Sequence, residues 1–220
     1  MKRFQVNYFG KAEAQIVPRL VRSLPQWVTP DMMTLLSIVG AGLASYAVIT
    51  FGADIWAPIL VFWGIFLNWF GDSTDGALAR HRQRLRPKFG FWIDRLTDTF
   101  CFVLLFLSMG HSPYLDMSSG YLLACAYVFY QATSLNLARK NGIALIGFLG
   151  FGATEARLTI VGLVILKYIM MSYGYDPEIK GISLERIILI TFTIAMVLAG
   201  FRLLFHPQKS SRANRRGPTT

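Results

Sequence analysis

The 220-residue chain is 54% hydrophobic and only 15% charged, and its formal net charge is +10. This composition is typical of an integral membrane protein and leaves no stretch for a separate soluble domain. The positive charge does not require nucleic acid as a partner, because its distribution fits membrane topology and attraction to anionic lipid headgroups.

The first 30 residues form a predicted cytoplasmic segment with one amphipathic helix. Between Ala12 and Leu24, apolar residues such as Val17 and Val21 alternate with basic ones. This pattern indicates a helix lying in the plane of the membrane interface, although Pro18 would sit inside it. The alternative is an irregular basic tail. Thr29 and Pro30 then predict the N-cap and first residue of the next helix.

Six apolar runs follow, at 32–51, 55–70, 100–109, 121–137, 158–171 and 187–204. A membrane-spanning helix needs about 20 residues, so the second and third runs must extend into the acidic segment between them. We therefore predict an all-α polytopic membrane protein, with a six-helix transmembrane catalytic domain at 31–206. The basic tail at 207–220 is predicted to be disordered and cytoplasmic.

The distribution of basic residues predicts the topology. With both termini on one side, 19 of the 22 Lys and Arg residues fall on that side, and only Lys167, Lys180 and Arg186 fall on the other. The positive-inside rule then places both termini and the acidic segment in the cytoplasm. We expect the protein in a bacterial or archaeal inner or cell membrane. Cys101 and Cys125 both lie in predicted spans, which argues against a disulfide framework.

The most informative segment places four carboxylates, of Asp72, Asp75, Asp94 and Asp98, within 27 residues of an apolar chain. The members of each pair are three or four residues apart, so each pair shares one helix face. Ionised carboxylates at the edge of a bilayer are costly unless they are paired or bind cations. Four converging carboxylates predict a divalent-metal site beside a basic loop, which is suited to phosphate chemistry.

Three simpler interpretations apply to the same segment. Asp72 and Asp75 would form helix-end ion pairs with Arg80 and Arg82. Small residues at 76 and 79 would serve ordinary helix packing. Arg80 alone would be a cytoplasmic anchor, and the following basic cluster through Lys88 is better explained by topology than by substrate contact.

The segment resembles the signature of the CDP-alcohol phosphotransferase family, also called the CDP-alcohol phosphatidyltransferases. All eight fixed positions are present: Asp72, Asp75, Gly76, Ala79, Arg80, Gly90, Asp94 and Asp98. The resemblance implies transfer of a substituted phosphate group from a CDP-linked donor to an alcohol, which yields a phosphodiester lipid and CMP. It also implies a six-helix fold, Mg2+ or Mn2+ as cofactor with two ions bound, and the homodimer usual among relatives.

The resemblance assigns roles by position. It implies that Asp72, Asp75, Asp94 and Asp98 bind metal and that Asp98 is also the general base for the acceptor hydroxyl. It implies that Gly76, Ala79 and Gly90 admit the CDP moiety, while Arg80 holds donor phosphate or braces the carboxylates. Residue chemistry agrees, because an all-oxygen site suits magnesium and a carboxylate can accept a proton.

A second constellation precedes the fifth span. Thr154 can cap that helix and Glu155 is favoured in its first turn. The functional alternative is that Glu155 and Arg157 select the alcohol or headgroup. Relatives that use CDP-choline or CDP-ethanolamine have a similar Thr-Glu pair. Arg139 and Lys140 would otherwise hold a phosphate-bearing acceptor.

Two questions stay open at this point. The donor is either CDP-diacylglycerol, used with a small polar alcohol, or a soluble CDP-headgroup, used with diacylglycerol. A divalent-cation channel or transporter is the alternative from another class, since intramembrane carboxylates also line ion paths. The four carboxylates are predicted at one depth and on one face, which disfavours such a path.

Overall fold

The computed structural model describes residues 2–5, 9–84, 87–141, 143–146, 152–175, 178–179 and 182–204. These residues form seven helices: α1 (Gly10–Ser23), α2 (Pro30–Phe51), α3 (Trp56–His81), α4 (Pro87–Gly110), α5 (Met117–Asn141), α6 (Ala153–Ser172) and α7 (Leu184–Leu204). The prediction that the fold is built from helices is confirmed. The tail at 207–220 lies outside the described residues.

Two short strand pairs accompany the helices and were not predicted from the sequence. Strands β1 (Lys2–Gln5) and β2 (Ile143–Ile146) pair in parallel, whereas β3 (Glu178–Ile179) and β4 (Ile182–Ser183) pair antiparallel. Segments of two to four residues are too short to show a clear period-2 pattern. The first pair joins the N-terminus to the chain that follows α5.

The start of α2 follows the predicted capping chemistry. The Thr29 hydroxyl accepts a hydrogen bond from the Met32 N–H at 3.2 Å, and Pro30 occupies the first helical position. Within the described residues, α2 is the one helix that is both long and apolar enough to cross a bilayer. A shorter apolar segment covers Leu189–Arg202 in α7. The six-span topology therefore stays a prediction.

Helices α2 and α3 approach closely because glycines face each other across their interface. A Cβ atom added to Gly64 would lie 2.6 Å from the backbone nitrogen of Ala44 and 2.7 Å from the carbonyl oxygen of Gly40. At Gly71, an added Cβ would lie 2.6 Å from the Ser37 nitrogen and would also meet the Met33 carbonyl oxygen. This packing fixes α3 against α2 immediately before the acidic motif.

Two apolar clusters complete the packing. The larger contains side chains from α2 to α7, with Phe102, Leu123 and Val164 almost fully buried. In the smaller, Val17 and Val21 of α1 pack with Leu78 of α3 and with residues at the start of α2. Helix α1 continues through Pro18 without interruption, so this proline does not break the predicted amphipathic helix.

Candidate active site

Asn68 anchors the stripe of polar and small residues along α3. Its amide nitrogen donates to the Ser37 hydroxyl at 2.8 Å and to the Ser37 carbonyl oxygen at 2.9 Å. Its amide oxygen accepts from Nε of Arg157 at 2.7 Å. Asn68 is 1% exposed, and these bonds satisfy both polar ends of its buried amide. The side chain therefore connects α2, α3 and α6 directly below the motif.

Arg157 of α6 is the centre of the carboxylate cluster. One of its terminal nitrogens donates to Asp72 at 2.9 Å and to Asp98 at 3.1 Å. The guanidinium carbon also lies 5.6 Å from the centroid of the Phe102 ring, a distance typical of a cation–π contact. Arg157 is 2% exposed. One buried cation therefore joins carboxylates from α3 and α4, the two helices that carry the motif.

Asp75 is held from the side of α2. The Thr34 hydroxyl donates to its carboxylate at 2.8 Å, and the other carboxylate oxygen accepts from the N–H of Gly76. Asp72 and Asp94 lie close enough to Asp75 for their negative charges to repel it, and both also act on Asp98. The four motif carboxylates thus form one electrostatic cluster.

Gly76 and Gly90, beside this cluster, do not pack against another helix among the described residues. A Cβ atom added to Gly90 would meet nothing within 4 Å, and at Gly76 it would meet only the Arg80 guanidinium, at 3.6 Å. By contrast, Gly71 faces the backbone of α2. Gly76 and Gly90 border open space, whereas Gly71 belongs to the helix interface.

Residues 27–205 match the sequence profile of the CDP-alcohol phosphatidyltransferase family. The chain belongs to the CDP-alcohol phosphatidyltransferase family. Members of this family are membrane-associated transferases of phosphate-containing groups, so the predicted enzyme class is confirmed.

The chain is also similar to two individual proteins. An uncharacterised protein of Aquifex aeolicus (strain VF5) is 29% identical over 164 residues, covering 73% of this chain and 74% of the relative. Cholinephosphotransferase 1 of Gallus gallus is 26% identical over 207 residues, covering 84% of this chain. The chain spans only 58% of the length of the chicken protein.

The family in general depends on divalent metal ions, and the donor set suits such an ion. Carboxylate oxygens are the ligands that Mg2+ prefers. Within the described residues, no three acidic, histidine or cysteine side chains are gathered closely enough to hold a metal. Arg157 instead lies between Asp72 and Asp98 and compensates part of their charge. The oxygen donors of the four aspartates, but not their spacing in the described part of the structure, therefore fit the family's cofactor.

Two of the predicted acceptor residues, Glu155 and Arg157, are bonded to other groups of the protein. Glu155 accepts from the N–H of Gly152 at 2.9 Å and from the N–H of Phe9 at 3.2 Å. The prediction that Thr154 caps α6 is wrong, because the N-cap is Gly152. The side chains of Arg139 and Lys140 lie outside the described residues. The acceptor role of these positions stays a prediction.

Several contacts were missed by sequence reasoning. Thr34 follows Pro30 by one helical turn, but nothing in the sequence assigns its hydroxyl to Asp75. Arg82 belongs to the basic cluster that the sequence explains by topology, yet it donates to carbonyl oxygens of the linker between α1 and α2, including that of Pro25 at 2.7 Å. The interpretation of Asp72 as the partner of Arg80 and Arg82 did not foresee its bond to Arg157. These contacts join residues of different helices or linkers, and a single sequence does not show which helices are neighbours.

Proposed function

We propose that this protein transfers a substituted phosphate group from a CDP-linked donor to an alcohol and releases CMP. The observation that carries the proposal is the convergence of Asp72 and Asp98 on the buried guanidinium of Arg157. The two halves of the motif lie on α3 and α4. Because one carboxylate from each helix bonds to the same guanidinium, they support a single reaction centre. Family membership favours this reaction over the channel or transporter alternative.

The residues that would hold the metal are Asp72, Asp75, Asp94 and Asp98. We propose two Mg2+ or Mn2+ ions, which when bound would neutralise donor phosphate oxygens and stabilise the leaving group. Thr34 fixes Asp75, and Arg157 orients Asp72 and Asp98. Held carboxylates need less rearrangement to bind a cation than free ones.

Asp98 is the proposed general base. Its carboxylate takes the proton of the acceptor hydroxyl while the acceptor oxygen bonds to the donor phosphorus. The phosphoanhydride bond breaks, and its electron pair leaves with the phosphate of CMP. Arg157 beside Asp98 holds this carboxylate in place, as a general base must lie within hydrogen-bonding reach of its proton.

The donor would lie beside Gly76, Ala79, Arg80 and Gly90. The open space at Gly76 and Gly90 supports this role, because an approaching nucleotide needs room next to the helix backbone. The guanidinium of Arg80 borders the same space at 3.6 Å from the Cβ position of Gly76. A basic group there is suited to a donor phosphate.

For the donor itself, we propose a soluble CDP-headgroup, with diacylglycerol as acceptor. The likeness to a protein named cholinephosphotransferase 1 favours this choice. CDP-diacylglycerol with a small polar alcohol is the second candidate, in which Arg139 and Lys140 would bind a phosphate-bearing acceptor.

We further propose that α2 to α7 span the membrane and that the site faces the cytoplasm. Each of these helices has 20 to 26 residues, enough for a bilayer core about 30 Å thick. Large apolar side chains on their outer faces are exposed, among them Leu35, Phe62 and Leu198. Such faces suit lipid contact, and the cation distribution sets the orientation.

The test is an assay of purified protein in lipid vesicles with Mg2+ and a panel of donors and acceptors. CDP-choline, CDP-ethanolamine and CDP-diacylglycerol are each paired with diacylglycerol or polar alcohols, and products are identified by lipid mass spectrometry. We expect CMP and one new phosphodiester lipid from a CDP-headgroup with diacylglycerol. Product only from CDP-diacylglycerol would select the second donor class, and no CMP from any pair would refute the proposed reaction.

A further inference from the structure

Glu13 of the N-terminal helix α1 bonds to both α3 and α6, two helices that carry residues of the candidate site. Glu13 accepts a hydrogen bond from the indole N–H of Trp69 in α3 at 2.8 Å. The same oxygen accepts from the hydroxyl of Thr154 in α6 at 2.5 Å. Two donors from different helices thus share one carboxylate oxygen of α1.

A second contact joins the same elements. The N–H of Phe9, at the start of α1, donates to Glu155 at 3.2 Å, and the N–H of Gly152 donates to the other oxygen of Glu155 at 2.9 Å. Two carboxylates therefore connect the beginnings of α1 and α6. Glu13 of α1 accepts from Thr154 of α6, and Glu155 of α6 accepts from the residue that precedes α1.

These contacts lie one helical turn from the centre of the carboxylate cluster. Trp69 is the neighbour of Asn68, and Thr154 precedes Arg157 by three residues. Asn68 and Arg157 are themselves bonded at 2.7 Å. Because a helix turn rises only about 5.4 Å, a shift of the first turn of α6 moves the guanidinium relative to Asp72 and Asp98.

We propose that Glu13 is a positioning residue that holds the first turn of α6 against α3 and thereby keeps Arg157 between the motif carboxylates. It touches neither substrate nor reacting atoms. This inference rests on the proposed function, since it assigns to α1 a part in the same reaction. It also gives the amphipathic helix a role beyond attachment to the membrane surface.

The chemistry explains why a carboxylate is present at this position. Hydrogen bonds to an ionised acceptor are about twice as strong as those between neutral groups. Glutamine retains an oxygen that can accept from both donors, whereas alanine removes the acceptor and leaves Trp69 and Thr154 without it. Gln15 is the matched control, because it lies exposed on the same helix. Within the described residues, its side chain makes no hydrogen bond to α3 or α6.

The experiment measures turnover of Glu13→Ala, Glu13→Gln and Gln15→Ala in the unaltered and Arg157→Lys backgrounds. Misplacement of a catalytic constellation by about 1 Å costs on the order of 100-fold, so we expect Glu13→Ala to lower kcat by roughly 10- to 100-fold. Glu13→Gln should recover most of that loss, and Gln15→Ala should turn over normally. In the Arg157→Lys background, Glu13→Ala should have little further effect, because its target is already altered.

Equal losses from Glu13→Ala in both backgrounds would overturn the positioning role, as would a Gln15→Ala variant as slow as Glu13→Ala. If the unaltered protein releases no CMP from any donor, the proposed function fails. The positioning role is then decided by a double-mutant cycle on the unfolding midpoint. Non-additive shifts for positions 13 and 157 would support it, and additive shifts would overturn it.

Discussion

Replacement of Arg157 by glutamine should strongly destabilise the ion-free protein, because it removes the buried counter-ion of two carboxylates. Arg157 is 2% exposed, and its two partners Asp72 and Asp98 are 16% and 13% exposed. Removing one partner of a buried ion pair leaves an uncompensated charge and costs about 3–5 kcal/mol. Here the loss leaves two carboxylates facing each other, and we expect a destabilisation of this size.

The assay is thermal unfolding of purified protein in detergent with EDTA, compared with the same protein in excess Mg2+. Arg19→Gln is the matched control, because this arginine is exposed on α1 and exposed charges contribute little. A ligand at 100 times its Kd stabilises the folded state by about 2.7 kcal/mol. Mg2+ should therefore restore much of the stability lost by Arg157→Gln. Equal unfolding midpoints for the two variants in EDTA would refute the counter-ion role of Arg157.

Four further predictions concern the site and its surroundings. Chelation of divalent ions should abolish turnover, and either Mg2+ or Mn2+ should restore it. Asp98→Asn should slow turnover by about 10²–10⁴-fold, the usual loss when a general base is removed, while binding of the CDP donor should survive better than in Asp72→Asn. Gly71→Ala should cost about 1–3 kcal/mol of stability, because its methyl group would meet the backbone of α2, whereas Gly76→Ala should fold normally and bind the donor more weakly. A cysteine at Gln83, in a chain without native cysteines, should react with impermeant reagents only from the cytoplasmic side.

Each of these measurements has a contradicting result. Full turnover in metal-free buffer would refute the metal requirement, and near-normal turnover of Asp98→Asn would remove its assignment as base. Equal stabilities of the Gly71 and Gly76 variants would contradict the packing difference. Labelling of position 83 from outside intact cells would reverse the predicted topology.

Much of the local structure could be predicted from the sequence because it depends on neighbouring residues. Thr29 and Pro30 specify the start of α2 through capping and the fixed φ of proline. The spacing of the four aspartates places each pair on one helix face. These rules act within one or two turns and need no knowledge of which helices touch.

The partners of the site residues could not be predicted in the same way. The bond from Arg157 to Asp72 joins residues 85 positions apart, and that from Thr154 to Glu13 joins residues 141 positions apart. Helical periodicity indicates which face of a helix is polar but not which helix lies opposite that face. For the same reason, the sequence did not distinguish Gly71, which packs against α2, from Gly76, which borders open space.

The proposed transfer is tested by the stoichiometry of CMP and lipid formed in vesicles from an isotopically labelled CDP donor. We expect one CMP for each new phosphodiester lipid, with the labelled phosphate group in the lipid, and a fall of both products together by about 10²–10⁴-fold in Asp98→Asn. CMP without lipid, or equal product from the unaltered protein and Asp98→Asn, would contradict the proposed transfer.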